Sequence, residues 1–148
     1  MADRPTSVLF CCDHNAVRSP MAEGILKQQF GHSIYVQSVG VRHDQEIDGF
    51  AIQVCSEVGV ELARHRSRSF EEMSEWGDNL DAFDLIVALS PASLRHAHEL
   101  TRNSAVEVLY WPIMDPTGLA EGREERLEHY RTARDQILKH IEELFGTA

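Results

Sequence analysis

The chain has 148 residues, 43% apolar and 26% charged, which predicts one domain over 1–148 with a core that needs no disulfide staples. Its 24 acidic residues outweigh 14 basic ones for a formal charge of −10; this disfavours nucleic acid and anionic membranes as partners and leaves anion binding to local groups. The cysteines Cys11, Cys12 and Cys55 are odd in number and two are adjacent, so they form no secreted disulfide framework; with no apolar leader and no membrane-length run, the expectation is a reducing cytoplasm.

Ser7–Cys11 is the first predicted strand, rich in β-branched and bulky apolar residues and not alternating cleanly, as expected of a strand buried on both faces. The stretch Cys12-Asp13-His14-Asn15-Ala16-Val17-Arg18-Ser19-Pro20 leads from it into a helix marked by Met21, Ala22, Ile25, Leu26 and Phe30, with Ser19 as its expected cap and Pro20 at its first position. A loop between a strand end and a helix start suits an oxyanion. Successive backbone N–H groups curl around the anion, the helix N-terminus adds a positive potential, and the same field stabilises a thiolate. Arg18 supplies a planar fork for two oxyanion oxygens, and an arginine at a helix start, where it opposes the dipole, needs such a reason. Asn15 suits a loop position with left-handed backbone. Cys12 is the candidate nucleophile; Cys11, within the strand, and Cys55, on an apolar helix stripe, read as core. Asp13 adds a negative charge beside the nucleophile.

Ile34–Val39 reads as the second strand, followed by the polar stretch 41–48 and a helical pattern in Phe50, Ala51, Val54, Cys55 and Val58. Phe83–Leu89 is the third strand, and Ser90 caps a helix over Pro91–Leu100 with proline at its first position. Val106–Tyr110 is the fourth strand; Asp115-Pro116 follows it, which puts Asp115 at the same edge of the sheet as the cysteine loop, the place for a general acid. The charge-rich 121–128 opens the last and longest helix, whose buried stripe is Leu127, Tyr130, Ala133, Ile137, Leu138, Ile141, Leu144 and Phe145. Strands alternating with helices predict an α/β fold, a three-layer α/β/α sandwich around a four-stranded parallel sheet, with the ligand beyond the carboxyl ends of the strands. No histidine and cysteine spacing here suits a metal, and no cofactor is expected.

In order and spacing, Val8 to Cys12, Asn15 to Glu23, Gln37-Ser38-Val39-Gly40, His65-Arg66-Ser67-Arg68, Phe83 to Ile86 and Asp115-Pro116 resemble the low-molecular-weight protein tyrosine phosphatase family, including its arsenate reductase relatives. The resemblance covers nearly the whole chain. It implies Cys12 as nucleophile, Arg18 as oxyanion clamp and Asp115 as general acid and later base, with Asn15, Ser19, Ser38 and His65 as a polar shell holding open the loop formed by Asp13, His14, Asn15, Ala16 and Val17.

The chain departs from that family at four places, one being the polar stretch Val41 to Asp48, where phosphotyrosine-selective members often carry an aromatic after the second strand. His14 stands where the phosphatases usually carry glycine, Val17 where they carry a second cysteine, and Thr117-Gly118 where phosphotyrosine-selective members carry aromatics. The expected function is hydrolysis of a phosphate monoester, of phosphotyrosine type, through a phosphocysteine. The alternatives are arsenate reduction with an external small thiol and a non-catalytic oxyanion-binding module. Expected partners are a phosphorylated protein or small phosphoester, or arsenate with a thiol, acting on a monomer or weak dimer.

Overall fold

The computed structural model describes residues 5–77 and 79–146; the opening Met1–Arg4 lies outside them. Four parallel strands, β1 (Ser7–Cys12), β2 (Tyr35–Gly40), β3 (Leu85–Ala88) and β4 (Glu107–Tyr110), form one sheet in the order β2-β1-β3-β4. The helices are α1 (Arg18–Phe30), α2 (Gly49–Ser56), α3 (Phe70–Glu75), α4 (Pro91–Leu100) and α5 (Arg123–Phe145), with a short 3-10 turn at Leu80–Ala82. This is the expected three-layer arrangement. Because β1 is central and its neighbours are reached in opposite directions, the crevice at its carboxyl end is a topological switch point, where ligands settle in sheets of this kind.

Side-chain alternation along β1 divides the core. Val8, Phe10 and Cys12 face a layer built from α1, α2 and α5, where Met21, Ile25, Val54, Ile137 and Ile141 are buried. Leu9 and Cys11 face the other layer, with Phe70 and Met73 from α3 and Ala97 from α4. The two adjacent cysteines therefore lie on opposite faces of the sheet.

The structure differs from the sequence expectations in several local ways. Phe83 lies outside β3 and packs as a buried side chain at the end of the 3-10 turn. Val58 lies beyond α2, which stops at Ser56, and Leu144 of α5 is exposed, while Arg134 takes a buried place. Helix α3 and the 3-10 turn, too short to show a period, went unread in the sequence; a Ser69–Glu72 capping box opens α3. Ser19 does not cap α1, which starts two residues earlier, at Arg18, from Val17 with no side-chain cap. Ser90 caps α4 with Pro91 following, as expected.

Polar contacts fasten the layers. Asp48 caps α2 through Phe50 N–H (2.7 Å), and its second oxygen accepts from the Tyr130 hydroxyl of α5 (2.8 Å). Glu57, just past α2, accepts from Arg131 (2.7 Å) and Arg134 (2.8 Å) of α5, and these arginines hold its carboxyl down to about 2.

This ion network sets a pH dependence. A carboxyl depressed in the folded state lends stability that is complete above its ordinary value of 4.5 and lost as the pH falls towards about 2. Glu57→Gln is expected to lower stability at neutral pH by about 1 kcal/mol, with the gap to the parent narrowing across that acidic window. Urea unfolding at stepped pH measures it; a gap unchanged by acid would remove the charge from the explanation.

Candidate active site

The loop from Cys12 to Arg18 bridges the end of β1 and the start of α1. Its backbone turns at Asn15, with φ of 54°, the one non-glycine residue in the left-handed region among the described residues. Asparagine tolerates that region better than most side chains, and a reversal of hand within a loop turns successive N–H groups to one side. The close approach of β2 makes room for it. A Cβ on Gly40 would meet the backbone of His14 and Asn15 at 2.7 Å, so only glycine fits beneath the loop.

Asn15 is fully buried, and its side chain is satisfied at every valence. Its Nδ2 donates to Ser19 Oγ (2.8 Å) and to Ser38 Oγ (2.9 Å). Its Oδ1 accepts from the backbone N–H of Arg68 (3.0 Å) and from His65 Nε2 (3.1 Å). That last bond requires the proton on Nε2, and burial lowers the histidine's affinity for a second proton, so the ring is neutral near pH 7. Ser67 Oγ donates to the Asn15 carbonyl (2.7 Å).

Cys12 is buried, and its Sγ lies 3.0 Å from Ser19 Oγ and 3.4 Å from the Ser19 N–H. Ser19 Oγ accepts from Asn15, and its own proton has two acceptors in reach, the sulfur at 3.0 Å and the Val39 carbonyl at 3.4 Å; given to the nearer sulfur, it would stabilise a thiolate. Ser38 Oγ in turn donates to Glu23 Oε1 (2.5 Å), and Glu23 pairs with Lys27 (2.5 Å). A polar chain thus runs from the surface of α1 to the cysteine.

Arg18, the clamp candidate, is 7% exposed. Its Nη1 donates to the carbonyls of Ile113 (3.0 Å) and Leu89 (3.4 Å), which aim the guanidinium across the mouth of the loop. Its Nη2 donates to Asp13 Oδ2 (3.2 Å), so the charge expected beside the nucleophile is turned onto the arginine; Asp13 Oδ1 is buried without a partner. Asp115 Oδ2 stands 3.9 Å from Nη2, and Thr117 fixes the other oxygen through its hydroxyl (2.7 Å) and its N–H (3.0 Å). Cys12, Asp13, His14, Ala16, Val17, Arg18, Asp115 and Thr117 line one cavity of about 100 Å³.

Ser38 and His65 stand behind the loop, bonded to Asn15 rather than to the cavity. Gln45, Glu23 and Arg68 went unread as site residues. Gln45 completes the cavity wall because His14 Nδ1 pairs with Asp44 (2.6 Å), drawing the 41–48 stretch over the loop and lowering the Asp44 carboxyl. His14 and Asp44 are 30 positions apart, and no periodicity signals such a pair. The other thiols lie outside the cavity: Cys11 and Cys55 are fully buried, and desolvation pushes Cys11 far up and Cys55 to about 12. Among the described residues no group of three or more His, Cys, Asp or Glu is placed to hold a metal ion.

Fold and loop together define a class: a parallel sheet with a cysteine and an arginine framing an oxyanion-sized cavity at the end of its central strand. The comparisons name it. The chain belongs to the low molecular weight phosphotyrosine protein phosphatase family, whose model matches residues 7–147. A glutaredoxin arsenate reductase of Synechocystis sp. is 29% identical over 139 residues, covering 94% of this chain and 95% of the relative. A protein-arginine-phosphatase of Geobacillus stearothermophilus is 30% identical over 147 residues, covering 95% and 94%. The solved structure of an arsenate reductase in its phosphate-binding state superposes with a TM-score of 0.76 at 28% identity, covering 94% of this chain and 95% of that one. The expected family and fold class are both found.

Two outcomes follow from this geometry. Asn15→Ala strands buried donors on Arg68 and His65, each unmet group being worth about 1–3 kcal/mol, so thermal or urea unfolding should show a loss of at least about 3 kcal/mol. Asn15→Gly frees the backbone yet loses the same bonds, and should be nearly as unstable; a glycine variant as stable as the parent would leave only the φ angle as the reason for asparagine. Asp13→Asn removes a carboxylate that competes for Arg18 and repels a bound dianion, and should tighten inorganic phosphate binding about tenfold, read by calorimetry. Unchanged affinity would mean that Asp13 turns away when the loop fills.

Proposed function

We propose that this protein, acting as a single catalytic domain, hydrolyses phosphate monoesters through a phosphocysteine on Cys12. The observation that carries this reading is the convergence of Cys12, Arg18 and Asp115 on one cavity of oxyanion size, with Ser19 bonded to the sulfur. In the first step the Cys12 thiolate attacks phosphorus in line. The S–P bond forms, the ester P–O bond breaks, and Asp115 passes its proton to the leaving oxygen. The loop amides and the Arg18 fork hold the equatorial oxygens as charge shifts onto them. In the second step water attacks phosphorus, gives a proton to the Asp115 carboxylate, and returns the thiolate and inorganic phosphate. Asp115 suits this exchange because half of its side chain is open to water while Thr117 keeps it aimed. The substrate is a phosphorylated protein or small phosphoester. The cavity lining holds no Phe, Tyr or Trp, and Gln45 and Thr117 are polar, so a phosphotyrosine-type leaving group would be admitted rather than gripped between large rings.

A second reading, arsenate reduction, is favoured by one observation, the small polar cavity with no ring slot. Cys12 would displace water from arsenate to form an S–As bond. An external thiol would then attack the Cys12 sulfur, forming a mixed disulfide as arsenic leaves reduced to arsenite. The thiol must come from outside, because Cys11 lies on the opposite face of the sheet and Cys55 is sealed in the core. For either reaction we place the protein in the cytoplasm as a monomer or weak dimer, without cofactor. No helix among the described residues is long and apolar enough to cross a membrane.

Steady-state assay of p-nitrophenyl phosphate against thiol-dependent arsenate reduction separates the two readings and the non-catalytic alternative. Cys12→Ser should abolish turnover while still binding phosphate, and Cys11→Ser should retain most activity; a folded Cys11→Ser as inactive as Cys12→Ser would move the nucleophile. Asp115→Asn should lose about 100-fold or more on alkyl phosphates and less on p-nitrophenyl phosphate, whose leaving group departs unaided. The slope of log rate against leaving-group pKa is the measurement, and equal slopes in parent and variant would reduce Asp115 to a turn residue.

A further inference from the structure

Behind the loop, and sharing none of its lining residues with the catalytic cavity, lies a larger cavity of about 400 Å³ between α1, β2 and the 61–68 segment. Its size falls in the range that holds small organic ligands, roughly 300–1,000 Å³. Its charge runs against that of the whole chain. Lys27, Arg64, Arg66 and Arg68 line it against Glu23 and Glu61, in a protein whose net charge is −10. Both carboxylates are already engaged: Glu23 holds Lys27 and Ser38, and Glu61 accepts from the Ala63 N–H (2.7 Å). The side chains of Arg64 and Arg66 make no hydrogen bond or ion pair among the described residues. Both are exposed, so their guanidinium forks can turn onto a ligand with several anionic oxygens. The wall also carries Trp76, 62% exposed although it is a large aromatic, with the guanidinium of Arg68 over its ring at 5.6 Å. An exposed indole beside cations accommodates a flat ring by stacking.

We propose that this cavity is a second ligand site, for a nucleoside phosphate whose phosphates meet Arg64 and Arg66 and whose base lies on Trp76, and that its occupancy alters the reactivity of Cys12. The coupling has a physical route. The cavity wall includes Ser38, His65 and Arg68, which bond Asn15 directly, and Glu23, which holds Ser38. Asn15 orients Ser19, and Ser19 touches the sulfur. A ligand held by Arg64 and Arg66 pulls on the segment whose His65 Nε2 and Arg68 backbone N–H donate to Asn15, and so on the groups that set the direction of the Ser19 hydroxyl.

The test needs no turnover, so it stands or falls separately from the proposed catalysis. ADP is titrated into the intact protein and followed by tryptophan fluorescence, Trp76 being exposed and Trp111 buried. Saturable binding with a Kd below about 1 mM is expected, weakened about tenfold or more in Arg64→Ala/Arg66→Ala. Absence of saturation, or equal binding by the double variant, overturns the site. Pyrophosphate is run in parallel; binding as tight as that of ADP removes the ring from the proposal and with it the nucleoside. Coupling is read as the rate of Cys12 alkylation by iodoacetamide in Cys11→Ser/Cys55→Ser. ADP should change that rate about fivefold, and the added arginine substitutions should abolish the response. An alkylation rate indifferent to ADP severs the link between the two cavities.

Discussion

The structure depends on one buried amide. Asn15 holds the loop backbone in a left-handed turn and at the same time spends all four of its side-chain hydrogen-bonding valences on three different segments: Ser19 in α1, Ser38 in β2, and His65 with Arg68 in the 61–68 stretch. A loop that must leave its own N–H groups unpaired, to meet an anion, cannot be held by those groups. It is held from behind instead, by side chains that leave the front free. The demand for glycine at Gly40, the neutral state of His65 and the burial of Ser38 all follow from packing this amide against the sheet edge.

The same economy governs charge. The whole molecule is acidic, so the potential at the cavity is made locally, by a helix start, a loop and one arginine. Arg18 is aimed by two main-chain carbonyls, which direct it without neutralising it. Asp13 does compete with the anion, and Asp115 stands close enough to feel the arginine. The cavity is therefore a balanced set of charges, and in the proposed reaction an arriving dianion displaces Asp13 from the guanidinium.

Strand geometry decides which cysteine faces the loop. In β1 the side-chain period of two sends Cys12 to the face of α1 and Cys11 to the face of α3 and α4, where burial holds it as a thiol. With Val17 in the loop, no second thiol opens into the cavity: Cys11, next in the chain, points to the other face of the sheet, so in the proposed chemistry an oxidised or arsenic-bearing Cys12 is resolved by a molecule from outside.

Much of this was legible in the residues themselves. Uninterrupted apolar runs disclosed a parallel sheet, because strands covered on both faces cannot alternate. The Cys12 to Arg18 spacing between a strand and a helix disclosed the loop, and the cap at Ser90 with Pro91 fixed the start of α4, because these signals act over a few residues. Short-range signals also mislead: Ser19 has the sequence position of a cap, yet its hydroxyl is claimed by Cys12 and Asn15; Leu144 keeps the helical period, yet it is 38% exposed. Sequence alone thus determined the layers, the loop and the identity of its chemical groups, since these rest on local period and residue type. Only the tertiary structure decided what those groups touch: His14 on Asp44, Glu23 on Ser38, Arg68 on Asn15, Arg18 on the carbonyls of Leu89 and Ile113. Such contacts join residues far apart in the chain, and their partners are chosen by how the layers close rather than by any pattern along it.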